Sequence, residues 1–434
     1  EVVNPRFQPA AIETGGNQFK NRLMSYFGRL QYAFKEKYLV SALLRRDQSS
    51  RFSKVENFNV GYFNSVSLGW NISEENFLKD NDFVNSFKLR VSYGQLGSDR
   101  VSGGNFPYVG SLNGEGTYSN NEELLESDLL VGVAEGQLGN PYLKWETTST
   151  GNIGIDVSLL DNKISFNLDV FQKTTDDLLI QPQSSGLTGV AGIGSSAPAI
   201  NAGTVENSGV EFLISYRDQF SENFNFNTSF NFTTINNNVT YVGNLAGFEQ
   251  GGGFGVGTGI VTSRMEAGHS LGYFYGYKTN GIYQNQGEID VLNAGATSNE
   301  NIFHTGAGVG DLRFVDTNGD GYISEVDKTD IGDPIADITA GLNLGFSYKK
   351  IDFSAAAIGS FGNNMVRDYQ RFNLLANKSE RLVNRWTPTN PSNTIPRASS
   401  GASINTDLFS DYFVEDASFV RIQNIQVGYT FDKL

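Results

Sequence analysis

Along much of the chain, hydrophobic and polar residues alternate with a period of two. In LMSYFGRLQYAF, the residues Met24, Tyr26, Gly28, Leu30, Tyr32 and Phe34 share one side of an extended segment, and Ser25, Arg29 and Gln31 fall on the other. KLRVSYGQL at 88–96, ISFNLDVFQ at 164–172 and FNFNTSFNFTT at 224–234 repeat the pattern with Asn, Ser, Thr or Asp on the second face. The spacing predicts about eleven or twelve strands. A barrel with a polar lumen produces this pattern, and so does any half-solvated antiparallel sheet.

The connections discriminate better, because their lengths are uneven. Tight turns are expected at Lys35–Lys37, Leu160–Lys163, Asp218–Asn223 and Lys349–Lys350, each joining two alternating segments. Long stretches rich in Gly, Asn and Ser lie at 97–143, 181–200, 236–267, 284–310 and 362–416. Short turns on one rim and long loops on the other are the layout of an outer-membrane barrel. A soluble sandwich keeps most connections short at both ends. Tyr26, Phe27, Tyr38, Phe63, Trp70, Trp145, Tyr348 and Tyr429 sit near expected strand ends, where headgroup-level girdles and core aromatics look alike.

Composition narrows the classes. There are 434 residues, with 49 Gly, 32 Phe and 19 Tyr, a β-rich balance; by length alone they would make about three average domains. With no Cys there is no disulfide framework, zinc-thiolate site or Cys nucleophile. A formal charge of -15 excludes a non-specific nucleic-acid binder, which needs a concentrated basic surface. No apolar run is long enough for a transmembrane helix, a limit that leaves β-barrels untouched. The chain opens on Glu1 without a signal peptide, as a processed or truncated product would.

The sharpest local chemistry is DTNGDGYISEVD at 316–327. Asp316, Asn318 and Asp320 take loop positions one, three and five, the backbone carbonyl of Tyr322 position seven, and Asp327 position twelve, a spacing of hard oxygen ligands that suits Ca²⁺. Gly321 takes the tight turn and Ile323 anchors inward. Asp rather than Glu at twelve shortens the reach, and no flanking helices are evident, so the ion would be structural and not a switch. The competing reading is an Asx-rich turn held by its own hydrogen bonds.

Catalytic constellations are weak, and no enzyme is expected. His269 and His304 are the only histidines and have no metal-ligand spacing. GVGTG at 255–259 and GAGVG at 306–310 lack a dinucleotide-binding context and read as flexible loop. The pairs Glu74–Glu75 and Asp176–Asp177 read as solvated turns or lumen faces. For carbohydrate or peptide recognition, Tyr108, Tyr275 and Tyr369 are candidate platforms, since each lies among aromatic and polar neighbours.

Five segments carry a family resemblance: 23–52, 139–179, 201–216, 310–354 and 414–431, the fourth including GDLRFVDTNGDGYISEVDKTDIGDP. They resemble, in family order, the TonB-dependent outer-membrane transporters of the SusC and RagA type. The resemblance implies an all-β, antiparallel transmembrane barrel, incomplete in this chain, with residues 1–434 as part of one barrel domain and the plug absent. It implies import of oligosaccharides or oligopeptides across the bacterial outer membrane, with a SusD-type surface lipoprotein as lid and the TonB complex supplying the pull. The acidic loop at Asp316, Asn318, Asp320 and Asp327 falls where the family has a similar run. Open sheet edges cannot stand in hydrocarbon, so the remaining barrel and plug segments are expected as partners. The alternatives are a passive porin or a secreted calcium-binding adhesin or carbohydrate-binding β protein. A porin would need a complete closed set of strands and an unplugged lumen, and a continuous apolar band about 25 Å tall on the outward face separates the membrane readings from the secreted one.

Overall fold

The computed structural model describes residues 20–431 apart from 80, 102–104, 111–113, 116–117, 120–128, 131–132, 135, 137, 183–196, 245, 252–259, 299, 368–378 and 400–402. One antiparallel sheet dominates. Its strands are β1 (Leu23–Phe34), β2 (Tyr38–Ser49), β3 (Val60–Tyr62), β4 (Ser65–Asn71), β5 (Val84–Ser98), β6 (Glu146–Leu159), β7 (Ile164–Asp176), β8 (Gly203–Ser221), β9 (Phe224–Val242), β10 (Ile338–Tyr348), β11 (Ile351–Phe361) and β12 (Phe419–Tyr429). Each long strand pairs with the next in sequence, and the short β3 pairs off the path with β2. The sheet is not closed: among the described residues, β1 and β12 each have one unpaired edge.

Register shows what the alternation is for. Following hydrogen-bonded partners across all eleven long strands gives Phe34, Tyr38, Trp70, Leu89, Ile155, Leu168, Phe212, Phe232, Ala340, Gly359 and Val420. No member of this row is polar. One residue over, the row reads Ala33, Leu39, Gly69, Arg90, Gly154, Asp169, Glu211, Thr233, Thr339, Ser360 and Phe419, with the charges and hydroxyls gathered in it. One face of the sheet is therefore apolar from edge to edge and the other mixed and polar. A strand of β10's length, tilted as in membrane barrels, spans about 25 Å.

The last strand needs a correction to keep this order. Ile422 and Ile425 are three apart, so plain alternation would put them on opposite faces. A register shift opposite Ala356 and Ala357 pairs Asn424 and then Ile422, skipping Gln423. That bulge returns Val420 and Ile422 to the apolar side with Ile425 and Val427.

The connections alternate strictly between rims. Residues 35–37, 72–83, 160–163, 222–223 and 349–350 close one rim, and 50–64, 99–145, 177–202, 243–337 and 362–418 cross the other. Lys35, Glu36, Leu160, Asp161, Asn162 and Lys349 take left-handed backbone conformations in the short turns. Such φ values reverse a chain within two or three residues while matching strand twist. Aromatic rings crowd this rim: Phe220 lies 5.7 Å from Phe224, which lies 6.3 Å from Tyr348, and Tyr429 lies 4.8 Å from Phe431.

Of the girdle candidates, Tyr38, Trp70, Tyr348 and Tyr429 stand on the apolar face at the short-turn rim, and Tyr26 on the same face farther along β1. Phe27 has the opposite parity and belongs to the polar face. Phe63 and Trp145 are not girdle residues. They are buried at the long-loop rim in a cluster with Phe52 and Leu143, the Phe63 and Trp145 rings 5.3 Å apart. Both follow or precede a strand on its loop side, where packing against neighbouring loops gives a ring more cover than lipid would.

The two longest connections form a body of their own. Strands Ser263–Glu266, Tyr273–Gly276 and Thr329–Gly332 join Phe248–Gln250 in a four-stranded sheet, and helix α1 (Gln286–Ala294) lies in sequence between the two strands of a second pair, Thr279–Ile282 and Leu312–Phe314. Asn285 caps α1 by accepting from the Glu288 amide. Residues 362–418 pack onto these elements through Trp386, Phe409 and Phe413.

Candidate metal loop and the body that carries it

The acidic loop is positioned by hydrophobic anchors at its entry and in its middle. Leu312 and Phe314 are buried with Tyr277, Ile282 and Trp386, so the strand Leu312–Phe314 delivers Asp316 to a set place. Ile323 packs on the same cluster, as its spacing predicted, and its amide donates to the Phe303 carbonyl at 2.6 Å. Between these anchors the chain turns through Gly319 at φ 75 and Gly321 at φ 89. Only glycine takes such angles without strain. A Cβ on Gly321 would also lie 2.9 Å from the Thr297 hydroxyl.

The turn gathers three carboxylates. Asp316, Asp320 and Asp327 each bring an oxygen to within 4.8 Å of the others. Oxygens bound to one Ca²⁺ at ~2.3–2.6 Å can be no farther apart than about 5 Å, a limit that the three carboxylates meet. Asn318 lies beside them, its Nδ2 donating to Asp320 at 2.9 Å. Tyr322 donates its amide to Asp320 Oδ1 at 3.2 Å.

The loop's own donors also serve these oxygens. Asp316 accepts from the amides of Gly319, Asp320 and Gly321 at 2.7, 3.2 and 2.7 Å. Fully buried Asp327 accepts from the amides of Thr317 at 2.9 Å and Ser324 at 2.7 Å, closing a capping box on the turn Glu325–Asp327. Position twelve thus works as a brace whether or not it is a ligand, while Asp316 Oδ2 and the two Asp320 oxygens each accept a single bond and retain a second lone pair. Next to it, Lys328 donates to Glu325 at 2.5 Å and holds that carboxyl below its usual range, while burial raises the Tyr277 phenol that also donates to Glu325.

The other candidates separate. Tyr108 is half-buried at the loop rim, its hydroxyl 3.5 Å from the Ser50 carbonyl. Tyr275 has the Arg264 guanidinium 3.4 Å from its ring centroid, so one ring face is already covered. Tyr369 and the 255–259 glycines lie outside the described residues. The 306–310 glycines, read as flexible loop, form a turn tied into the body: Gly308 donates to Asp311, and Gly310 at φ 89 abuts the Trp386 ring. His269 contacts Asp330 at 3.2 Å and stacks on Tyr273, while His304 is buried against Phe314, so neither joins the acidic loop. Burial holds the His304 pKa down at about 4. Glu75 accepts from Lys37, Tyr38 and Trp70 at the short-turn rim, and its carboxyl is held low chiefly by Lys37. Asp176 accepts from Thr204, and Asp177 pairs with Lys144.

Two constellations had no signal in the sequence because their members are far apart along it. Asp311, buried, takes both arms of Arg397 at 2.7 and 2.9 Å and the Asn405 amide at 2.8 Å, fastening 362–418 to 243–337. On the polar face of the sheet, Arg90 bridges Asp156 at 2.8 Å and Asp169 at 2.9 Å, with Asn167 donating to Asp156.

A family model described as TonB dependent receptor-like, beta-barrel, matches residues 3–322. The chain is 33% identical to TonB-dependent receptor P39 of Formosa agariphila, over 96% of this chain and 41% of that protein. It is likewise 33% identical to TonB-dependent receptor SusC of Bacteroides thetaiotaomicron, over 96% of this chain and 38% of that protein. Among solved structures, the RagAB peptide transporter superposes with a TM-score of 0.72 at 22% identity, over 98% of this chain and 44% of that one. The chain spans about two fifths of the length of the curated relatives it matches.

Proposed function

Because this chain belongs to the TonB-dependent receptor-like β-barrel family, and hence to the outer membrane, we propose that it forms part of the wall of a SusC-type importer for oligosaccharides or oligopeptides. The apolar row that runs unbroken across eleven strands carries the reading. A secreted adhesin would need a solvated exterior there, and hydrocarbon is the environment in which the row is favourable. Transporter barrels of this kind have ~22 strands around a plugged lumen. The unpaired edges of β1 and β12 would be completed by further strands of the same barrel, since unmet N–H and C=O groups cost several kcal/mol each in lipid.

In this reading the polar face lines the lumen and contacts a plug, and TonB supplies the work that moves it. The long loops, with the folded body at 243–337 and 362–418, face outward, where a SusD-type lipoprotein would close over them. A passive porin would need no plug and no energy. The experiment is uptake of labelled oligosaccharides and peptides by cells carrying the intact transporter, with and without TonB and the lipoprotein. Uptake that persists undiminished in cells lacking TonB would overturn the reading in favour of a porin.

Asp316, Asn318, Asp320, Asp327 and the Tyr322 carbonyl would hold Ca²⁺, which would neutralise three clustered carboxylates and stiffen the loop. Calcium titration should then slow proteolysis of the loop body, by about 2.7 kcal/mol of protection at a hundredfold excess over Kd. Asp320→Asn should lose most of that protection, and protection unaffected by chelator would remove calcium from the account.

A further inference from the structure

A cleft of about 790 Å³ opens on the loop body between helix α1 and the strand Leu312–Phe314. Val291, Leu292, Phe303 and Val315 make its apolar wall, and Asn280 and Arg313 also line it. Arg313 is steadied from behind, its Nε donating to the Asn280 carbonyl at 2.9 Å. That bond orients the guanidinium plane and leaves the two terminal nitrogens without a partner among the described residues. Two carboxylates, Glu288 and Asp316, line the cleft as well and keep their charge, with oxygens turned to neutral amide donors of their own segments. Glu288 accepts from the Gln284 amide and the Asn285 side chain, and Asp316 accepts from three amides of its own loop.

The cleft therefore combines one oriented guanidinium and an apolar wall with two carboxylates tied to their own backbone, and Val291 is 73% exposed. We propose that it binds an organic carboxylate carried on an apolar body, as at the C-terminal residue of a hydrophobic peptide. A guanidinium fork matches a planar carboxylate through two parallel hydrogen bonds. A side chain of Leu or Phe size gains by covering the wall. A neutral sugar offers the fork no anion. An acidic sugar shares the carboxylate, but its hydroxyl-bearing ring would lose hydrogen bonds to water against Val291, Leu292 and Phe303.

The inference depends on the importer reading only for how such a ligand reaches the cleft, since binding is an equilibrium property that needs no energised membrane. The test is calorimetric titration of the full-length, detergent-solubilised transporter with N-acetyl-Leu-Phe as the free acid, the same peptide as its C-terminal amide, and a glucuronate disaccharide. The acid should bind about tenfold tighter than the amide. Arg313→Gln should lower the acid to the level of the amide and leave the amide unchanged, with Arg313→Lys between them and the heat-modifiable gel shift intact in both. Equal affinity for acid and amide, an unaffected Arg313→Gln protein, tighter binding of the glucuronate or no binding of the acid would each overturn it. Uptake that persists without TonB, with the titration as expected, would overturn the importer reading alone and leave this inference standing.

Discussion

Ile153 and Ile282 are the same side chain under opposite conditions. Ile153 stands 58% exposed on the apolar face of β6, between Val91 and Val170 of the flanking strands. Ile282 is 3% exposed inside the loop body, against Leu312, Phe314 and Trp386. The sheet turns its apolar residues outward and secures its backbone by strand pairing, whereas the body turns them inward, as a water-soluble domain does. Fully buried large side chains accordingly gather in the loops: Tyr273, Tyr283, Phe314, Phe409 and Phe413 are all there, along with Phe52 at the rim. Apolar burial organises both regions, with lipid as the covering medium for one and the protein's own interior for the other.

Truncating a body anchor should have the largest effect. Phe314→Ala should cost about 3–5 kcal/mol, seen as new protease cleavage in 243–337 and 362–418 while the heat-modifiable shift of the barrel is retained. If the barrel fails together with the body, the two regions are one cooperative unit and the contrast between them falls.

Charging the outward face comes next. Ile153→Arg should lower folding into lipid vesicles by about 2–4 kcal/mol, although a residue so exposed in a soluble protein would tolerate the change within ~0.5 kcal/mol. A neutral outcome would mean that Ile153 meets water or protein, not lipid.

Acid should loosen the body and spare the wall. His304 is neutral in the fold with its pKa lowered to about 4 by burial, so over the interval from ~6.5 down to that value the unfolded segment binds a proton that the folded one does not. The associated stability is complete above pH ~6.5, declines as pH falls toward about 4, and amounts to no more than about 3 kcal/mol. Proteolysis of the body followed from pH 7 to 4 should show this slope, and His304→Phe should flatten it.

The smallest effect belongs to the acidic loop. Gly321→Ala imposes a side chain at φ 89 beside Thr297 and should cost about 1 kcal/mol or slightly more. Its footprint in hydrogen exchange should stay within 316–327, and spread into β10 would show the loop coupled to the wall.

Much of the wall was legible because its period is short and its rows are long. Met24 to Phe34 show their faces by simple alternation, and the resemblance of the SusC and RagA type rests on residues in several strands and the loop. The acidic loop was legible for a related reason, since its donors and acceptors lie within a dozen consecutive residues. The bulge at Gln423 was not, because a slip of parity in β12 has meaning only beside Ala356 and Ala357 of the neighbouring strand. The places of Phe63 and Trp145 stayed open for a comparable reason: an aromatic residue near a strand end suits a lipid girdle and a loop core equally well, and only the presence of Phe52 and Leu143 decides.

The sequence by itself determined which residues can share a face, where the chain must reverse and which segment can gather carboxylates, since each of these depends on spacing within one short stretch. Tertiary structure decided which face is uniformly apolar across eleven strands, that 243–337 and 362–418 make one body through Asp311 and Arg397, and that Arg313 opens on a cleft with its fork uncommitted. Those outcomes depend on partners tens of residues away, whose proximity is set by packing and register and is absent from any local pattern.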